Sequence, residues 1–213
     1  MNITIEGIDG SGKSSLASAL LPRIEPALIV HELTATETGN KVHDWILRHD
    51  ITSTKEIAVQ SFKKLLEARI SALEIVAKGM LEGKNILRDR YVITTMAYQS
   101  FKAEWGMKEF ILSHLKKLSE IPAARVDATI LLSVSPDIVI ERLARRASSS
   151  KYRPDVNDQK SIQYYLELTD RMFHALGEVP EALVGKILII DGNTHIEQVV
   201  NEAYKQLKEL SLC

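Results

Sequence analysis

The sequence predicts a doubly wound α/β sandwich around a five-stranded parallel sheet. Three observations carry that prediction. Five short runs rich in Ile, Leu and Val are bounded by Gly, Pro, Asp or Ser. Longer segments with apolar residues at helical spacing separate them. A glycine-rich turn follows the first run directly. The runs occupy residues 3–5, 27–30, 85–87, 129–134 and 186–190. Their unbroken apolarity points to strands covered on both faces, as parallel strands are.

The first run leads through the glycine turn into a helical pattern starting at Lys13, with Leu16, Ala17, Ala19 and Leu20. The second run precedes a helix start near Asn40. The longest pattern covers about 54–80, where Phe62, Leu65, Leu66, Ile70, Leu73, Val76, Ala77 and Met80 step by three or four. The third run precedes helix starts near Val92 and Lys108. The fourth precedes one near Pro136, and a further pattern starts near Lys160. The fifth precedes the last, near His195. Parallel strands need crossover connections, which these helices supply. Nothing divides residues 1–213, which read as one domain. The most polar stretch runs from Ala147 to Lys160, with Ser148, Ser149, Ser150 and Pro154, and reads as a mobile loop between two helices.

Composition narrows the class further. The chain has 213 residues, 45% of them hydrophobic, and 27 Lys+Arg against 28 Asp+Glu leave a net charge of −1. That excludes a disordered polyelectrolyte. It also gives no overall electrostatic ground for nucleic acid or a membrane surface, and neither partner is expected. The one cysteine, Cys213, allows no internal disulfide or Cys-based metal site, which fits the reducing cytoplasm. The longest apolar runs, about five residues, fall far short of the ~20 that span a bilayer. The first residues lack the basic and apolar regions of a signal peptide.

The strongest motif is Gly7-Ile8-Asp9-Gly10-Ser11-Gly12-Lys13-Ser14, followed by Ser15. It matches G-x-x-x-x-G-K-[ST] between a strand and a helix, where a P-loop belongs. Glycines let backbone N–H groups approach phosphates. Lys13 reaches the β- and γ-phosphates, Ser14 can ligate Mg²⁺, and the helix adds its positive end. The fold expectation sharpens to a three-layer α/β/α sandwich of the P-loop NTPase type, binding ATP with Mg²⁺. No guanine-reading N-K-x-D follows, because Asn40-Lys41-Val42-His43-Asp44 has the wrong spacing, and the one D-x-x-G lies inside the loop. A short chain without a basic track leaves a kinase of a small acceptor. A second element, Leu87-Arg88-Asp89-Arg90-Tyr91, closes the third run. Ligands sit beyond the carboxyl ends of parallel strands, so Asp89 and Arg90 share the P-loop crevice. Asp89 suits Mg²⁺, alongside Ser14, or a proton from the acceptor. Arg90 suits a bidentate phosphate clamp.

With these residues the chain resembles the thymidylate kinases. The resemblance is carried by residues 5–15 and by Asp89-Arg90-Tyr91-Val92-Ile93-Thr94-Thr95-Met96-Ala97-Tyr98-Gln99, which reads like D-R-Y-x-x-S-x-x-A-Y-Q with Thr94 in place of Ser. It implies ATP-dependent phosphorylation of dTMP to dTDP by small-molecule nucleotide binding alone. It also implies a homodimer using the long helix at 54–80. Asp9 is placed near the sugar 3′-hydroxyl and the acceptor phosphate. Leu65 and Arg69 are placed at the base from the long helix, Thr94 and Thr95 at the base edge, and Tyr98 against the sugar. The resemblance also implies an arginine-rich lid at about 142–158. Since the P-loop offers Gly10 and Ser11, that lid must supply the arginine that neutralises the transferring group. Arg145, Arg146 and Arg153 are candidates of equal standing beside Lys13, Asp89 and Arg90.

Two positions depart from the family pattern. His31-Glu32-Leu33 stands after the second run with no arginine for the acceptor phosphate, so His31 or Glu32 could face a different acceptor. Leu65 stands where an aromatic would stack on the base, a loss on the order of 1 kcal/mol that Phe62 could offset. A kinase for another deoxynucleotide or nucleoside, or a slow regulatory nucleotide-binding module, therefore remain alternatives.

Overall fold

Five parallel strands form one sheet, and the strand that leads into the glycine turn lies at its centre. The structure is a computed structural model describing residues 1–102, 106–148 and 160–212. Strands β1 (Asn2–Glu6), β2 (Ala27–His31), β3 (Asn85–Asp89), β4 (Ala128–Ser133) and β5 (Lys186–Asp191) run in the order β2-β3-β1-β4-β5. The chain moves from β1 outward to β2, returns through β3, and crosses to β4 on the other side. That reversal beside β1 opens a crevice at the carboxyl edge, where Ile5 pairs with Asp89 on one side and Ile130 on the other.

The helices are α1 (Lys13–Leu20), α2 (Glu37–Ile46), α3 (Lys55–Leu81), α4 (Val92–Gln99), α5 (Met107–Leu118), α6 (Pro136–Ala147), α7 (Ile162–Glu178) and α8 (Ile196–Glu209). Every sequence-predicted strand and helix start falls within a few residues of an observed one. Ile3, Ile5, Ala128, Ile130 and Leu132 pack against Leu16 and Leu20 of α1 and Val199, Val200 and Ala203 of α8. On the opposite face Leu131 packs with Phe62 of α3, Ile93 and Met96 of α4, Ile111 of α5 and Leu168 of α7. The three-layer expectation is met. Most of the expected lid, residues 149–159 with Arg153, lies outside the described residues.

α3 differs from its sequence pattern in one informative way. The spacing places Ile70 and Met80 inward, yet they are 50% and 44% exposed. Phe62, Leu65, Leu73 and Val76 are buried as the spacing predicts, joined by Ala58, Ala68, Arg69 and Ala72. One residue along a helix is a rotation of about 100°. Burial of Arg69, with a carboxylate waiting inside, turns its neighbour Ile70 to the surface.

The turn between α2 and α3 is tied to the start of α7. Asp50 accepts hydrogen bonds from the Thr52 N–H at 3.0 Å and the Thr52 hydroxyl at 2.7 Å. It also accepts one from the Lys160 ammonium at 2.7 Å. Partial burial pushes the Asp50 pKa up, but the bonds from Lys160 and Thr52 outweigh it and hold it below 3.8. A depressed carboxylate pKa contributes stability above the unfolded value and loses it as pH falls through the folded one. Asp50→Asn should therefore lower unfolding free energy by about 0.5 kcal/mol at neutral pH. In paired urea titrations the gap should close between about pH 5 and pH 2; an equal gap at both ends would contradict the assignment.

Candidate active site

The loop between β1 and α1 wraps toward the crevice because its glycines adopt backbone that other residues resist. Gly10 has φ 76° and Gly12 has φ 97°. A Cβ on Gly10 would also meet the Val139 carbonyl at 3.1 Å. Lys13 opens α1 and folds back, donating to the Ile8 carbonyl at 2.8 Å. Burial lowers its pKa to about 8, with Arg90 adding to the shift and Asp9, Asp89 and Glu6 opposing it. Ser14 donates to Asp89 Oδ2 at 2.5 Å, and His31 Nδ1 lies 3.3 Å from the same oxygen. Burial pushes the Asp89 carboxyl up, but His31, Lys13, Arg90 and Ser14 hold it far below the usual carboxylate range.

Arg90 follows β3 with a left-handed backbone, φ 72°, and its N–H donates to the Ile5 carbonyl at 3.0 Å. A non-glycine residue in that region costs on the order of 1 kcal/mol or more. The conformation carries the guanidinium across the end of β1 to Asp9, with which it forms an ion pair. Tyr98 of α4 donates to the other Asp9 oxygen at 2.7 Å. Burial opposes ionisation of Asp9, but Arg90, Lys13, Tyr98 and Arg146 bring its pKa down to about 2. Burial and the Asp9 charge push Tyr98 well above its ordinary 10, so its phenol keeps its proton.

One cleft of about 970 Å³ joins these groups. That is at the upper end for a ligand pocket, about 300–1,000 Å³, and leaves room for two ligands end to end. Of the residues singled out from the sequence, Asp9, Gly10, Ser11, Gly12, Lys13, Ser14, Ser15, Leu65, Asp89, Arg90, Thr94, Thr95, Tyr98 and Arg146 line it. Gly7 and Ile8 do not; the Ile8 side chain sits in the core and its carbonyl receives Lys13. Arg145 does not either, because it lies one residue off the cleft-facing side of α6 and pairs with Glu141 at 2.5 Å. Arg153 lies outside the described residues.

Arg69 is 1% exposed and stands behind the wall. Its Nε and Nη2 meet the two oxygens of Glu32, and Nη2 also donates to Thr95 Oγ1 at 2.8 Å. The Tyr91 ring lies 4.9 Å from the guanidinium carbon. The Glu32 charge is thus neutralised internally.

Sequence reasoning missed the roles of three groups, Glu32 having been expected to face an acceptor. Glu6 caps α4, Glu32 pairs with Arg69, and Arg142 ties α6 to the Ser11 carbonyl at 3.3 Å and the Gly192 carbonyl at 2.8 Å. A charged residue on an apolar helix stripe, as at Arg69, is the signal that could have found the pair.

The donor set fits a magnesium ion that arrives with phosphates. A serine hydroxyl and an ionised carboxylate are hard oxygen ligands, and Mg²⁺ usually takes one or two carboxylates plus substrate phosphates and water. Among the described residues no cluster of three or more His, Cys, Asp or Glu could hold a resident metal.

Comparisons with known proteins agree with the geometry. A family profile described as thymidylate kinase matches residues 5–203. The thymidylate kinase of Leptospira interrogans is 29% identical over 204 residues, covering 94% of this chain and 90% of that protein. That of Orientia tsutsugamushi is 26% identical over 214 residues, covering 95% and 94%. The solved thymidylate kinase of Candida albicans superposes with a TM-score of 0.73 at 16% identity, covering 99% of this chain and 92% of that one.

The buried pair makes a stability prediction. Glu32→Ala strands the Arg69 charge and should cost about 3–5 kcal/mol in urea unfolding. A cost below about 1 kcal/mol, the range of an exposed pair, would show that Arg69 finds water or another partner.

Proposed function

This chain belongs to the thymidylate kinase family, and from that premise we infer that its cleft transfers the γ-phosphoryl group of ATP to dTMP, giving dTDP and ADP. The observation that carries the inference is the shared wall. Lys13 and Ser14 of the phosphate loop and Asp89, Arg90 and Tyr98 of the neighbouring strand and helix face one continuous space. A binding module needs only the first set.

The phosphates of ATP take the loop N–H groups and draw the Lys13 ammonium from the Ile8 carbonyl to the β,γ-bridge. A magnesium ion, which Ser14 and Asp89 would hold, supplies positive charge to the transferring phosphates when bound. The cleft beyond Arg142 and Gly192 takes the adenosine end. At the other end Leu33, Ile46, Leu47, Ile51 and Leu65 offer an aliphatic slot for the acceptor base. Arg90, already ionised and aimed by Asp9, receives the acceptor phosphate bidentately. Tyr98, held on Asp9, stands against the sugar. Attack is in line by an acceptor phosphate oxygen, so no covalent intermediate is needed. Arg142 and Arg146 both face the cleft; Arg142 donates to the Ser11 and Gly192 carbonyls, and Arg146 is assigned to the charge on the transferring group.

Two copies pairing through α3 belong to the same reading, supported by Ile70, Met80 and Leu81 on its surface. A second acceptor is favoured by one observation: among the described residues the slot carries Leu65 and no stacking aromatic, Phe62 being buried in the core. ADP release with ATP, Mg²⁺ and a panel of nucleosides and monophosphates decides between them. Acceleration by dTMP above the rest is expected; a different best acceptor, or none, would sink the dTMP reading. Lys13→Ala should keep the fold and lower kcat by about 10³-fold or more, the scale on which a removed phosphate-stabilising cation acts. Near-normal turnover in that variant would refute the donor site.

A further inference from the structure

Behind the cleft wall, between β2, β3 and α3, lies a second cavity of about 10 Å³. That is room for one occupant of about the size of a water molecule. Val30 and Ala72 are among its apolar walls. Three guanidinium groups and one carboxylate also line it, those of Arg69, Arg88, Arg90 and Glu32.

Two independent observations say what kind of occupant suits it. The first is an unused donor. Arg69 Nη1 is buried and has no hydrogen-bond partner among the described residues, although Nε and Nη2 of the same group are engaged. A guanidinium only donates, so Nη1 requires an acceptor. The second is an uncancelled charge. Arg69 answers Glu32 and Arg90 answers Asp9, which leaves Arg88. Arg88 is 4% exposed and forms no ion pair among the described residues. Its Nε donates to Asn2 Oδ1 at 3.0 Å and its Nη2 to the Ala123 carbonyl, both neutral groups. Its guanidinium carbon lies 4.5 Å from the centre of the Tyr91 ring, which compensates the charge only in part. Burial lowers the Arg88 pKa, with Arg69 adding to the shift and Tyr91 and Glu32 opposing it. A guanidinium nevertheless keeps its proton, so a buried cation stands here without a counter-charge.

Water in this cavity would satisfy Arg69 Nη1 and leave the excess charge. A monoatomic anion answers both. We propose that the cavity is a halide site, in which one chloride ion set against Arg69 and Arg88 completes the charge balance behind the cleft wall. Glu32 does not oppose it, because both carboxylate oxygens are taken by Arg69. Polyatomic anions, phosphate included, are excluded by size. The site is separate from the phosphate loop, and the proposal does not depend on the kinase reading.

Thermal unfolding in sodium chloride or bromide, set against sodium gluconate at equal ionic strength, tests it in solution, because gluconate is too large for the cavity. Relative to gluconate, Tm should rise by about 3 °C or more for each tenfold increase in halide above its dissociation constant. Ala72→Val fills the cavity with methyl groups and leaves every charge in place, so the halide-specific rise should vanish in that variant. In crystals soaked in bromide an anomalous peak should stand in the cavity against Arg69 Nη1. Equal melting in halide and gluconate would overturn the proposal. A rise retained in full by Ala72→Val would overturn it too, by placing the ion elsewhere, such as on the phosphate loop. A bromide-soaked crystal with only water density in the cavity would do the same, and that observation decides should Ala72→Val fail to fold. A bromide peak without any halide-specific rise in Tm would mean binding at crystal concentration only, which also counts against the site.

Discussion

Charge removed from water at the carboxyl edge of β1 and β3 is the constraint on which the site depends. Glu6, Asp9, Lys13, Asp89 and Arg90 crowd the end of two neighbouring strands, and an unpaired buried charge costs several kcal/mol. Each is therefore answered: Asp9 by Arg90 and Tyr98, Asp89 by Ser14 and His31, Lys13 by the Ile8 carbonyl, and Glu6 by the first turn of α4. These answers fix rotamers before any ligand arrives. The left-handed backbone of Arg90 persists because its N–H, its guanidinium and the register of β1 with β3 all hold it there.

On the proposed function, incoming phosphates exchange partners with groups that are already aimed. Lys13 leaves a neutral carbonyl for an anion, which favours its charged form. Arg90 keeps Asp9 beside it while it receives a second anion. The arrangement is a preorganised cation pair, and donors fixed before reaction are the condition under which electrostatic stabilisation of phosphoryl transfer is strongest. On the proposed function, the aliphatic slot of α2 and α3 supplies binding without reading hydrogen-bond patterns.

Much of this was legible in the sequence because its residues are consecutive. The phosphate loop shows itself since backbone geometry dictates glycine at some positions and chemistry dictates Lys and Ser at others. The Asp89-Arg90-Tyr91 element was legible for the same reason, standing at the end of a strand. Glu32 and Arg69 were not: they lie 37 positions apart, and only the packing of α3 over β2 brings them together. The inward face of α3 was legible at Phe62, Leu65, Leu73 and Val76 but not at position 69: hydrophobicity alone puts Ile70 inside, whereas a buried ion pair puts Arg69 there. Arg145 and Arg146 look equivalent in the sequence, and the helical twist of one residue turns the first outward to Glu141 while the second lines the cleft.

The central claim is that donor and acceptor lie in one continuous cleft floored by the P-loop and Arg90. Titration calorimetry with a bisubstrate mimic, adenosine joined to thymidine through a polyphosphate, tests it most directly. One molecule of mimic should bind per chain, and either saturating ATP or saturating dTMP should suppress the heat. A mimic displaced by ATP but indifferent to dTMP, or one that releases no heat on folded protein with magnesium present, would contradict the account.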